Sequence, residues 1–263
     1  MSTELSKELR PSYITTENKN LGAEDFGHYI KPPRLKIVQP QSRAPLSDKF
    51  APGSVVLVPR MELLAEKGQP FLFTPIFFFP EWCTWNPLAA PGLATIRARS
   101  FDPKSDIAVK CRDKSTRTEV CPEAPTLQIA HQEHLNLAVI LHGVDGMEDT
   151  PVIMTFVRGE YVTGALLMDM IRSRRAPIMS TIFEGKVPLE IKKNDKGQWY
   201  GFSFDNPAEN AWVPEDRYNN YLALHNMLKE AHANLSLVVD HDDNGGDDIG
   251  TVPEGSGKTS SAF

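Results

Sequence analysis

The stretch PFLFTPIFFFPEWCTWNP, residues 70–87, decides the fold class. Five phenylalanines, two tryptophans and Ile76 between bounding prolines predict a β-strand. Its neighbours repeat the pattern: SVVLVP (54–59), LATIRARSF (93–101), IAVKCRD (107–113), LNLAVILHGV (135–144) and PVIMTFVRG (151–159) are each bounded by Pro, Gly or Asp. Short strands at this spacing predict a barrel or a sandwich. Neither an internal repeat nor a regular alternation of strands with long helices runs through the chain, which argues against a parallel α/β fold. One helix interrupts the strands at 159–177, where Tyr161, Ala165, Met168 and Ile171, with Leu167 and Met170 beside them, fall at helical spacing before Pro177. Residues 177–208 then predict more strands around an Asn194–Gly197 turn. A last helix, 214–235, opens on Pro214 and two acids and offers Tyr218, Tyr221, Leu222, Leu224 and Leu228 for packing. The class is mainly β with α.

With 263 residues, 41% of them hydrophobic, the chain can bury one large core or two small ones. Residues 1–30 are polar and without periodicity, and predict a flexible arm. KPPRLKIVQPQSRAPLSDKFAPG (31–53) places five prolines around one short strand, Leu35–Val38, and leads into a body ending near residue 239. No stretch reaches the roughly eighteen apolar residues of a membrane span, and the first twenty residues hold no signal-peptide core. Three cysteines, an odd number, agree with a reducing compartment. A cytoplasmic protein is expected.

The last 24 residues, DHDDNGGDDIGTVPEGSGKTSSAF, contain two competing signals. A phosphate-binding loop would need glycine five residues before Gly257, where Val252 stands, and a helix after Thr259, where only four residues remain. That reading fails. The acidic one survives: Asp240, Asp242, Asp243, Asp247, Asp248 and Glu254 face only Lys258, so the segment carries −5 of the chain's −6. A glycine-rich acidic segment of this kind predicts disorder, either as a solubilising tail or as a functional one. The terminal Phe263 favours function.

Catalytic patterns are missing. HQEH (131–134) is not the His-Glu-x-x-His of a zinc hydrolase, and no nucleophile elbow or carboxylate cluster stands at usable spacing. A zinc site from Cys111, Cys121, His131 and His134 has the right donors but lacks a Cys-x-x-Cys knuckle. Unpaired core cysteines and surface histidines are the plain alternative.

Basic residues cluster in 93–117, where Arg97, Arg99, Lys104, Lys110, Arg112, Lys114 and Arg117 outnumber Asp102, Asp106 and Asp113. Arg97 and Arg99 would share one face of a strand. This stretch follows Trp82 and Trp85, and Arg172, Arg174 and Arg175 form a second basic strip after the helix. Cations beside aromatic rings suit single-stranded nucleic acid, whose bases stack at roughly 1–3 kcal/mol each. Taken singly, the aromatics also suit a core and the arginines a helix cap.

In this order of parts the chain resembles the single-stranded DNA-binding proteins of bacteriophages: a strand barrel interrupted by a helix, a C-terminal helix, then an acidic tail ending in an aromatic. PRLKIVQ (33–39) followed by PGSVVLVP (52–59) also looks like the start of a family of phage proteins with cysteines in their middle region. The resemblance implies an OB-fold β-barrel over 31–239 and a disordered tail over 240–263. It implies sequence-independent binding of single-stranded DNA in replication, recombination or repair in an infected cell, without catalysis. Arg97, Arg99, Lys110 and Arg112, then Arg158, Arg172, Arg174 and Arg175, would hold phosphates, and Trp82 and Trp85 would stack. Asp240, Asp242, Asp243, Asp247, Asp248 and Phe263 would recruit partners such as a DNA polymerase and compete with DNA. One departure stands out: GSGKTSSA separates Glu254 from Phe263. The rival readings are a virion or scaffold protein that binds no nucleic acid, and a zinc-dependent nucleic-acid hydrolase.

Overall fold

A computed structural model describes residues 32–42, 44–86, 96–194, 197–208, 210–235, 237 and 239. The arm expected over 1–30 and the acidic tail over 240–263, Phe263 included, lie outside the described residues.

Among the described residues twelve strands and four helices follow in chain order: β1 (Arg34–Ile37), α1 (Leu46–Lys49), β2 (Val55–Val58), β3 (Glu62–Ala65), β4 (Pro70–Trp85) and β5 (Ile96–Ser100) come first. Next are α2 (Asp106–Arg112), β6 (Thr118–Cys121), β7 (Ala124–His142), β8 (Val152–Phe156), α3 (Tyr161–Ser173) and β9 (Phe183–Lys186). The small hairpin β10 (Lys192–Asn194) and β11 (Gly197–Trp199), then β12 (Ser203–Asp205) and α4 (Glu215–Ala233), complete the order.

The spine is the antiparallel ribbon of β4 and β7, 16 and 19 residues long, paired from Leu72↔His142 to Trp85↔Ala130. At one end β4 also pairs with β9 through residues 70–73, and at the other with β5 through residues 82–85. Pro75 and Pro80 fall in the gap between these two neighbours. Neither can donate a ladder hydrogen bond, and that edge asks for none there. A bulge between Pro75 and Phe77 inserts Ile76 and turns the side-chain alternation over. Phe71 and Phe73 therefore face one core, whereas Phe77 and Phe79 face the other.

The first core gathers side chains from β1, β2, β4, β7, β8, β9 and α3. The second lies under α4, whose Tyr221 and Leu228 meet Ile76, Phe79 and Ile140. Each fully buried aromatic or aliphatic side chain here contributes roughly 1.5–3 kcal/mol. The His225 Nδ1–H donates to the Ile76 carbonyl at 2.7 Å and fixes α4 over the bulge.

The expected helix is α3, entered through a short helical turn at Arg158–Glu160 and ended before Pro177, with Arg175 at φ 50°. The expected hairpin also forms, with Asn194 opposite Gly197. Two expectations need correction. IAVKCRD is not a strand: residues 106–112 form α2, because Ser105 caps them by accepting a hydrogen bond from the Ala108 N–H at 3.2 Å. Nor does the main sheet close into a barrel. Its order β12-β9-β4-β7-β8-β1-β2-β3 ends on β12 and β3, which do not pair, among the described residues. The molecule is a mixed α and β protein built mostly on one large open sheet. Among the described residues no helix is long and apolar enough to cross a membrane.

Candidate nucleic-acid interface

Most of the cations expected to hold phosphates meet protein partners. Arg97 grips Glu123 with two hydrogen bonds of 2.8 and 2.5 Å. This pair, with the Cys121 thiol donating to the same carboxylate, pulls Glu123 down to about 2. Lys110 meets Glu119 at 2.7 Å. Arg99 approaches the fully buried Glu81 at 3.2 Å and also donates to the Val239 carbonyl. Arg112 donates to the Pro103 carbonyl and lies 5.1 Å from the centre of the Trp82 ring. The stretch that is strongly basic in sequence is thus offset in space by Glu81, Glu119 and Glu123, acids supplied by β4, β6 and the β6–β7 turn.

Trp82 and Trp85 lie inside. Trp82 is 1% exposed, roofed by Ala108 and Cys111 of α2. Trp85 is 7% exposed and stacks on His134, with ring centres 5.9 Å apart. Neither presents a ring face to solvent in this conformation. A wide indole buries more apolar area under a capping helix than on an open sheet, and α2 is that cap for Trp82, while Trp85 packs with Cys83 and Ile96.

The expected zinc set does not assemble. His131 sits against Thr84, Nδ1 to Oγ1 2.9 Å, with Glu119 at 3.3 Å from its Nε2. Burial, which outweighs the pull of Glu119, lowers its pKa. Cys121 turns to Glu123, and burial pushes Cys111 up to about 11. Of the four, only His134 joins a close group of donors, and its companions are Glu81 and Cys83. A hydrolase centre on Cys111, Cys121, His131 and His134 therefore has no geometry here.

In the second basic strip Arg172 and Arg175 are exposed and Arg174 is half-buried. Arg172, in the last turn of α3, has an 80% exposed side chain and makes a long 3.8 Å contact to Asp169. Arg174 follows at the helix end and places its guanidinium 4.3 Å from the ring centre of Trp212. Arg175 is exposed. Trp212 itself is 48% exposed, a large value for so apolar a ring. It cannot drift: Thr181 pairs with it, and flanking hydrogen bonds run from Val213 N–H to the Ser180 carbonyl and from Ile182 N–H to the Ala211 carbonyl, both 2.9 Å. A cleft of about 590 Å³ opens along α3. Asp169 and Ser173 line it, with Lys192 and the stacked Phe202 and Phe204. Arg158, at φ 53°, belongs elsewhere, facing the side-chain amide of Gln132.

Sequence reasoning found the three arginines and missed Trp212. The ring stands alone in ENAWVPED, 37 residues past Arg175, and only the Thr181 pairing brings it back to the strip. No family model matches the chain, and neither a curated protein nor a solved structure matches it.

Proposed function

We propose that the protein binds single-stranded DNA without sequence preference, through the surface formed by Arg172, Arg174, Arg175 and Trp212. The observation that carries this reading is the exposed, backbone-fixed Trp212 with the Arg174 guanidinium beside it. An indole face takes an unpaired base, and the neighbouring cations take the phosphates on either side. The cleft along α3, with Phe204 and Lys192, extends the path. On this reading the open sheet is a variant of the oligonucleotide-binding architecture. The work would be replication, recombination or repair of phage DNA in the cytoplasm of an infected cell, without catalysis.

The tail over 240–263 has two parts in this proposal. Tethered at net −5, it stays at high effective concentration near the arginines and competes with DNA. Its acids and Phe263 would also recruit a polymerase or another replication protein.

The test is binding of a fluorescent dT oligonucleotide, followed by anisotropy. Trp212→Ala is expected to cost about 1–3 kcal/mol, a 5- to 150-fold weaker Kd, because one stacked base is lost. Trp85→Phe, inside the protein, is expected to leave Kd unchanged. Equal affinity of wild type and Trp212→Ala would remove this surface as the site, and no binding by wild type at low salt would leave the virion or scaffold reading.

A further inference from the structure

Glu81 and Cys83 stand two residues apart on β4, so their side chains leave the same face of the strand. His134 of β7 is the cross-strand partner of Glu81. The register thus collects a carboxylate, a thiol and an imidazole, and one donor atom from each lies within 4.8 Å of the other two. Glu81 and Cys83 are 0% exposed and His134 is 2% exposed. Around tetrahedral zinc, with bonds of about 2.0–2.3 Å, ligand atoms stand roughly 3.3–3.7 Å apart, so side-chain movements of about 1 Å close the set.

We propose that Glu81, Cys83 and His134 hold one zinc ion that clamps β4 to β7 on the side of the sheet that α4 covers. The donor chemistry selects the metal. Calcium and magnesium take oxygen ligands, whereas a mixed thiolate, imidazole and carboxylate set suits zinc.

The surroundings hold the ligand side chains as metal sites require. The Asn136 side-chain amide donates to Glu81 Oε2 at 3.2 Å and is itself fixed by the Thr155 hydroxyl at 2.8 Å. Arg99 braces the other carboxylate oxygen, and Trp85 stacks on the His134 ring. A further imidazole lies on the same side of the sheet: His232 of α4 packs 5.3 Å from Phe79 and interacts with the charge of Glu81. Its buried Nε2 has no hydrogen-bond partner among the described residues. Charge also balances. Zinc with one thiolate and one carboxylate is neutral, and the Arg99 side chain, 26% exposed, keeps its own charge hydrated. On binding, the Cys83 thiol releases its proton to solvent and the sulfur lone pair forms the metal bond, with no change of oxidation state.

The experiment uses the full chain, stripped of metal and titrated with Co²⁺ as a spectroscopic stand-in for Zn²⁺. A thiolate-to-cobalt charge-transfer band should grow to saturation at one equivalent and disappear on adding zinc. Cys83→Ser should abolish it, Glu81→Gln and His134→Gln should weaken binding at least tenfold, and Cys111→Ser and Cys121→Ser should retain it. Wild type supplies a readout independent of any variant's folding, a zinc-dependent rise in its thermal midpoint. A band that persists in Cys83→Ser, or a wild type with neither band nor zinc-dependent midpoint, overturns the proposal.

Discussion

A Cβ added at Gly164 would stand 2.6 Å from Cγ of Phe156, where α3 crosses β8. Gly164→Ala should therefore lower stability by about 1–3 kcal/mol, read as a fall in the urea midpoint, because the buried Phe156 ring has little room to retreat. Histidines act at the same scale. Burial lowers the pKa of His131 and His142 below the ordinary 6.5, so the unfolded chain takes up protons before the native one does. Stability should fall as pH drops below about 6.5, and fall again below about 4.5, where the native carboxylates of Glu119 and Glu123 resist protonation that the unfolded chain accepts. Urea melts across pH 8 to 4 check the sign; a midpoint that rises on acidification to pH 5 contradicts it. Residue identity alone also left the tryptophans ambiguous. Trp82 and Trp85 sit in the most aromatic stretch of the chain and are buried, while the isolated Trp212 is exposed. The difference lies in what covers each ring, and the cover comes from distant elements.

Among the elements, α3, α4 and the Asn194–Gly197 hairpin were legible because apolar period, a proline or acids at the start and turn chemistry all agree there. α2 was not. Its seven residues carry alternating apolar positions that mimic a strand, and the deciding feature is the single Ser105 cap. Ser105→Ala should cost about 1 kcal/mol and loosen α2 first, visible as faster hydrogen exchange at Ala108 and Val109 than in wild type. Unchanged exchange would mean that packing on Trp82 alone holds the helix. The strand content of 70–85 was also legible, but not the bulge at Ile76, which reverses the facing of every residue after it. That reversal brings Glu81 and Cys83 onto the side covered by α4, where His134 of β7 already stands. No spacing rule links Cys83 to His134, 51 positions away; only the β4–β7 register does.

At the level of the whole molecule, charge in sequence and charge in space differ. The stretch 93–117 is basic by count, yet Arg97, Arg99 and Lys110 each meet an acid, so its count does not translate into a cationic surface. Sheet closure was illegible for a related reason. The strand pattern fixes the number of strands, whereas closure depends on whether β3 and β12 meet, and they do not pair among the described residues. The tail belongs to this scale because, in the proposal, its −5 would act on the arginine surface as a whole. Deleting 240–263 should tighten oligonucleotide binding most at low salt, where the competing charge is least screened. A stacking and phosphate-binding surface for single strands would show itself in tryptophan fluorescence during titration with poly-dT and with a duplex of equal length, at two salt concentrations. Strong quenching by poly-dT that weakens with salt and is absent in Trp212→Phe is expected, with far weaker duplex binding. Equal binding to both forms, or quenching that survives in Trp212→Phe, would contradict it.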